Sequence, residues 1–342
     1  MTIEELITSR SFDRSIIFGY YGGGNYGDEL LLTILINILL NNKNTDIEYA
    51  YMNRETHSLL NHTYNATPRF GFYEILKSIF KSKNIIVGGG GHWGLDANKT
   101  VFIMSLMLLV MRTVFRKNIY LIGVGYYGST DKIGHFSARM ASIAANEILA
   151  RDKESYAHFR KLSSHTHLDK DIAFSLDIDG LKSRSKIDDE VDLQSGDKNI
   201  FVTLRNFRGS RGKVYESIIT ELVTLHSDVR FIFLLLEPAH ANEQGKDFIE
   251  KLKVSNSNVT SYYFHDNPLE IASFFKAHKN SARLIAPQYH AQLTAHLVGM
   301  DFLPMSYDNK VSQLLKMFGK TPIPIESVDK VTITRFIEAA TS

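Results

Sequence analysis

The sequence predicts an α/β protein built as two Rossmann-like, doubly wound domains facing a cleft, and three observations carry that expectation. Apolar, β-branched runs alternate with helical patterns along nearly the whole chain, as parallel sheets covered on both faces require. Glycines cluster three times directly after such runs, at Gly19–Gly27, Gly88–Gly91 and Gly123–Gly128. Between Asp177 and Asn199 the pattern lapses into a stretch rich in Lys, Asp, Ser and Gly, which reads as a linker. The expected boundaries are a first domain over 1–178, a linker over 179–199, a second domain over 200–327 and a terminal helix over 328–342.

In the first half, strands are expected at Ser15–Gly19, Ile47–Met52, Asn84–Val87, Ile119–Val124 and Glu147–Ala150. The second half repeats the scheme with Ile200–Leu204, Val229–Leu236, Val259–Phe264, Arg283–Ala286 and Phe302–Ser306. Helical spacing falls between these runs, at Lys213–His226, Asn242–Lys253, Leu269–His278, His290–Val298 and Lys310–Phe318, and again at Val328–Ala340. Domains of this class hold ligands at the carboxyl ends of their strands. That directs attention to the residues just after each strand.

Bulk properties remove several function classes. The 342 residues are 44% hydrophobic and 22% charged, a globular composition long enough for two domains. Lys and Arg number 39 against 37 acidic residues, leaving +2, so no broad field marks a nucleic-acid partner. The absence of cysteine excludes disulfides, thiolate zinc sites and a cysteine nucleophile. The opening Met1-Thr2-Ile3-Glu4-Glu5 lacks a signal-peptide pattern, so a cytoplasmic location is expected. The apolar run Val101–Phe115 is shorter than the roughly 20 residues needed to span a bilayer. It reads as a buried core helix, or alternatively as a helix lying on a membrane surface between basic flanks.

The first glycine cluster satisfies Gly22-x-Gly24-x-x-Gly27, the spacing of a dinucleotide fingerprint. Its surroundings argue against a dinucleotide. Asp28 and Glu29 enter the first helical turn, where they suit the helix dipole and would repel a pyrophosphate. The second strand ends in Asn53-Arg54, where a ribose-binding acid would be needed. Three glycine-rich strand ends instead imply backbone lining a cleft, with close helix–sheet packing as the alternative for any one of them. In the second half Arg205 follows a strand, where guanidinium clamps a carboxylate or phosphate, or pairs with an Asp or Glu. Gln288-Tyr289-His290 follows another and leads into a helix, which puts His290 in the first helical turn.

Taken in order, Gly22…Asn25-Tyr26-Gly27-Asp28-Glu29, Gly88–Gly91, Arg151-Asp152-x-x-Ser155, Leu204-Arg205 and His290…Gly299…Tyr307-Asp308-x-Lys310 resemble the polysaccharide pyruvyl transferases. The resemblance runs from about residue 15 to 319 and implies a fold similar to the two-domain glycosyltransferases of the B type. It further implies transfer of the pyruvyl unit of phosphoenolpyruvate to two sugar hydroxyls as a cyclic ketal. Such chemistry needs an acid near neutral pKa and fixed cations for carboxylate and phosphate. On that basis His290 is the expected acid/base and Arg205 the clamp, with Gln288 and Lys310 completing the donor side. Gly22, Gly24, Asn25, Asp28, Gly90 and His92 are the expected acceptor side. No cofactor and no metal are expected, only phosphoenolpyruvate as substrate and a saccharide partner. A lipid link on that saccharide, peripheral membrane contact and homo-oligomerisation stay open. One departure stands out: the family typically shows Arg-Leu-His where this chain has Gln288-Tyr289-His290. Either another cation such as Arg208, Arg211 or Lys310 then supplies the missing charge, or the donor differs, or activity is weak; the rival readings are a glycosyltransferase using a nucleotide sugar and a non-catalytic saccharide-binding protein.

Overall fold

The computed structural model describes residues 1–43, 46–54, 57, 64–94, 99–127, 132–191, 193, 198–204, 210–238, 240 and 242–339. It comprises two compact units, one of residues 1–23 and 28–176, the other of residues 24–27 and everything from 177 onward.

In the first unit the strands are β1 (Ser15–Phe18), β2 (Ile47–Tyr51), β3 (Asn65–Pro68), β4 (Asn84–Gly88), β5 (Trp93–Gly94), β6 (Asn118–Val124), β7 (Tyr126–Tyr127), β8 (Glu147–Ala150) and β9 (Thr166–Leu168). Seven of them form one sheet in the order β3-β2-β1-β4-β6-β8-β9, and every pairing is parallel. β5 and β7 form a separate two-stranded ribbon. All residues of β1 and β4 are buried, which is why those strands read as continuous apolar runs. Chain order reverses between β1 and β4, so their carboxyl ends flank the point where open α/β sheets take ligands.

Two strands of the seven-stranded sheet were not legible in the pattern, nor was the short ribbon of β5 and β7. β3 is the edge strand and ends in Pro68, which has no N–H to give to a ladder. β9 is the opposite edge and only three residues long, too short to show a period. The apolar run expected as a core helix forms the helix Lys99–Thr113, but only one side of it is core. Met104, Ser105, Leu108 and Met111 are buried, while Ile103, Leu106 and Val110 face outward. The sheet already offers one helix-wide strip of cover, so a helix apolar all round still buries only the strip it presents.

The second unit contains β10 (Asn199–Thr203), β11 (Arg230–Leu235), β12 (Val259–Tyr263), β13 (Ala282–Ile285) and β14 (Phe302–Leu303) as a parallel sheet ordered β12-β11-β10-β13-β14. Its switch point lies between β10 and β13. The run expected as one strand over Phe302–Ser306 is broken at Pro304. Beyond it β15 (Met305–Ser306) pairs with β16 (Ile323–Pro324). The terminal helix Lys330–Glu338 starts on an Asp329 cap and packs Ile333 and Ile337 into the core of this unit.

The segment read as a linker is tied down over its described residues. Leu181, Ile187 and Val191 are buried, and the short helix Ile187–Val191 forms within it. Its polar residues are engaged: Ser185 Oγ donates to the Glu270 carbonyl at 2.9 Å, and Lys182 and Lys186 pair with Glu270 at 2.5 Å and Asp266 at 2.6 Å. A composition poor in large apolar residues therefore marks docking through side-chain hydrogen bonds here, not a free tether.

Candidate functional site

In the first unit the three glycine turns are bound to one another. Tyr21, fully buried, donates its hydroxyl to the Gly88 carbonyl at 2.6 Å, and Gly125 N–H donates to the Gly90 carbonyl at 2.9 Å. Burial, with Asp28 and Glu29 nearby, holds the Tyr21 phenol well above its ordinary pKa, so it remains a donor. Gly22 sits at φ +67, and a Cβ there would stand 2.7 Å from Tyr51 Cβ, so both conformation and space require glycine.

Gly90 lies at φ +82, and the place its Cβ would occupy is 3.7 Å from both Asp28 Oδ1 and His92 Nε2. Three of the residues expected on the acceptor side are thus gathered around one small gap. His92 Nε2 is buried without a hydrogen-bond partner. Burial, aided by the Arg69 and Arg151 charges against two opposing backbone hydrogen bonds, pushes His92 down to about 4, so at neutral pH it is an uncharged imidazole. The unfolded chain takes up this proton first as pH falls below about 6.5, so stability is lost between there and about 4. His92→Gln should therefore flatten that part of the stability curve, measured as the difference in Tm between variant and parent at each pH.

Arg69 was not singled out from sequence because β3, which it follows, was not legible. Its guanidinium donates to the Gly19 carbonyl at 3.0 Å and contacts Met104 Sδ at 3.9 Å. A half-buried cation thereby sits on the first glycine turn, close enough to act on His92 electrostatically.

Other motif residues of this unit serve the scaffold. Arg151 lies in a buried ion pair with Asp171 at 3.0 Å, each side chain 1% exposed. Asp152 caps the helix Lys153–Arg160 by accepting from Ser155 N–H at 2.7 Å, while Ser155 Oγ accepts from Tyr126 N–H at 2.9 Å.

The second unit includes Gly24–Gly27, the end of the first glycine cluster. Gly24 is left-handed at φ +85. Asn25 Oδ1 accepts from Gly27 N–H at 2.9 Å, capping the helix Tyr26–Asn41, so this expected ligand-binding oxygen is engaged by backbone. Tyr26 is buried, its N–H bonded to the Leu236 carbonyl at 3.0 Å and its hydroxyl 2.9 Å from Thr294 Oγ1.

His290 does occupy the first turn of a helix, Tyr289–Val298, at the carboxyl end of β13. Gly27 packs against it. A Cβ on Gly27 would lie 2.6 Å from His290 Cγ, 2.8 Å from Cε1 and closer still to Nδ1. The ring of Tyr289 sits edge-on to His290 at 5.0 Å, and Lys310 Nζ lies 4.3 Å from the centre of the Tyr289 ring. Gly299, at φ +80, closes the helix as its left-handed cap.

Gln288 precedes this helix and bridges to the end of β10. Its Nε2 donates to the Leu204 carbonyl at 2.5 Å and its Oε1 accepts from Thr203 Oγ1. The residue standing for the family arginine thus holds the strand end that leads to position 205. Arg205 and Arg208 lie outside the described residues, as does the side chain of Arg211. Among the described residues, no three His, Asp or Glu side chains are grouped to hold a metal ion, and no helix is long and apolar enough to cross a membrane.

Comparison with known proteins agrees with this architecture. The chain is 14% identical to a UDP-GlcNAc 2-epimerase of Neisseria meningitidis bound to UDP-GlcNAc, with a TM-score of 0.58 over 95% of this chain and 90% of that one. The Methanocaldococcus jannaschii UDP-GlcNAc 2-epimerase in complex with UDP-GlcNAc and UDP gives 14% identity and a TM-score of 0.60, covering 95% and 92%. A glycosyltransferase of Rickettsia africae gives 9% and 0.51, covering 97% and 88%. At such identities the likeness concerns the fold, an α/β arrangement of parallel sheets of the glycosyltransferase B-like kind. No curated protein matches the chain. The family description polysaccharide pyruvyl transferase matches residues 25–309, well over half of the sequence, and the chain belongs to that family.

Proposed function

We propose that this protein transfers the pyruvyl unit of phosphoenolpyruvate to two hydroxyls of a saccharide, forming a cyclic ketal in the synthesis of a cell-surface polysaccharide. The observation that carries the reading is the grouping of His290, Tyr289 and Lys310 at the β13 end of the second sheet's switch point, in a chain of this family. His290 delivers a proton to the methylene carbon of the donor while one sugar hydroxyl bonds to the neighbouring carbon. The first hydroxyl's proton passes to His290 and restores it; the second hydroxyl then bonds to that same carbon, the C–O bond to phosphate breaks, and phosphate leaves with the second hydroxyl's proton. Lys310, together with Arg205, supplies positive charge for the donor's carboxylate and phosphate. The gap between Gly90, Asp28 and His92, with Arg69 beside it, receives the acceptor. A neutral His92 suits a sugar hydroxyl because it accepts or donates a hydrogen bond without carrying charge.

One observation favours a second reading. Gln288 brings no charge to the place of the family arginine, and structural neighbours are described with UDP or UDP-GlcNAc bound, so a glycosyltransferase using a nucleotide sugar is the alternative. Incubation with phosphoenolpyruvate and a saccharide is expected to release inorganic phosphate with the pyruvyl carbons retained on the sugar. Release of phosphate without a pyruvylated product would overturn the reading, and a Tm raised by UDP-sugars and unmoved by phosphoenolpyruvate would favour the alternative. Gln288→Arg is expected to preserve or raise phosphoenolpyruvate affinity, since guanidinium still donates to the Leu204 carbonyl while adding charge. Titration of Tm against donor concentration measures this.

A further inference from the structure

The outer side of the helix Lys99–Thr113 is apolar where a surface helix would normally be polar. Ile103 (64% exposed), Leu106 (44%), Val110 (37%) and Val114 just beyond the helix (65%) recur at intervals of three, four and four residues, which places them on one stripe opposite the buried Met104, Leu108 and Met111. The adjoining helix Lys132–Ala144 continues the patch with exposed Phe136 and Ile143, and the rings of Phe102 and Phe136 stack at 6.2 Å across the join. Phe115, in edge contact with Phe80 at 4.9 Å, extends it toward the next helix, Phe72–Lys81.

Cations rim this apolar face. Lys99 falls on the stripe of Ile103 and Val110, and Lys132 and Arg139 fall on that of Phe136 and Ile143. Arg116 follows the first helix, while Lys117 donates to the Phe80 and Ser82 carbonyls; neither 99–127 nor 132–145 contains an Asp or Glu, Asp131 standing just before the second range, in a chain whose net charge is only +2. An apolar face whose described charged neighbours are cations marks an interaction surface. The charge selects the occupant. In a two-fold dimer the same patch meets itself, which would set these cations against their own copies. An anionic lipid surface would neutralise them while the Ile, Val and Phe side chains enter the headgroup boundary. The helix is 15 residues long, too short to span, so it would lie in the interface.

We propose that the face formed by these two helices docks the protein on the surface of an anionic lipid bilayer. The test needs no substrate, so it succeeds or fails independently of the reaction. The full chain is sedimented with vesicles of phosphatidylcholine alone and of phosphatidylcholine mixed with phosphatidylglycerol. Binding is expected to the mixed vesicles and to weaken as salt is raised. Ile103→Ser combined with Val110→Ser, both at exposed positions, should lower the partition coefficient about tenfold or more. Lys99→Gln combined with Arg139→Gln should lower it about tenfold or more on the mixed vesicles and leave the neutral ones unchanged. Absence of binding to the mixed vesicles, or equal binding by parent and both variants, overturns the proposal. So does a parent that stays off vesicles but is a dimer in solution, which the Ile103→Ser, Val110→Ser variant dissociates.

Discussion

Gly27→Ala is expected to reduce turnover by about 10²- to 10⁴-fold, the range that one positioned proton-transfer group contributes, without unfolding the protein. The added methyl would overlap the imidazole of His290, within 2.8 Å of Cε1 and nearer to Cγ and Nδ1. A side chain can swing away where backbone could not, so the clash is relieved by turning His290 out of place. Gly27 lies in the first turn of Tyr26–Asn41, where alanine is the better helix former by up to about 1 kcal/mol, so stability has no local reason to fall. His290→Ala should match the loss. Phosphate release, pyruvylated product and Tm measured together decide it: a Gly27→Ala variant with parental rate removes His290 from the mechanism.

The second large effect is on stability. Arg151→Met removes the ion-pair partner of the buried Asp171, which costs about 3–5 kcal/mol. For a unit of this size that corresponds to a fall in Tm on the order of 10 °C. Asp171→Asn should cost less because Asp152 Oδ2 still lies 3.8 Å from Arg151 Nε. Asp171 also accepts from Ala173 N–H at 3.1 Å, and Arg151 N–H bonds to the Val124 carbonyl at 3.1 Å, so the pair pins three chain segments. Replacing both partners with apolar residues, Arg151→Met with Asp171→Leu, should recover much of the loss because neither of the two buried charges remains and Asp152 is partly exposed. A single variant that melts with the parent would show that the pair is not the clamp described.

Much of the scaffold was legible because its demands are local. Strands buried on both faces had to be apolar throughout, so β1, β4, β6, β10 and β11 were readable as runs. Glycine marks most of the positive-φ positions, among them Gly22, Gly24 and Gly90 in turns and Gly123 at the irregularity of β6, while Arg14, Lys43 and Arg116 adopt positive φ without such a signal. Edge elements escaped for the converse reason. β3 and β9 are covered less, and nothing forces an apolar run on them. With β3 went Arg69, whose half-buried guanidinium is visible only once the strand before it is placed.

The candidate site divides the same way. His290, Gly90 and His92 could be picked out as chemistry-bearing residues after strands, since that position alone makes them candidates. Their partners could not. Gln288 engages Thr203 and Leu204, 85 and 84 residues away, and nothing near Gln288 encodes that its amide bonds to a strand end. Arg151 and Asp152 stand in the sequence only as charge at a strand end, and the fold makes them an ion pair and a helix cap.

The sequence by itself determined the alternation of strand and helix, the turns that only glycine can make, and membership of the family, because each depends on which residues stand within a few positions of one another. The tertiary structure alone decided which polar groups are engaged with each other. Hydrogen bonds and ion pairs are made between segments far apart in the chain, and burial sets their strength.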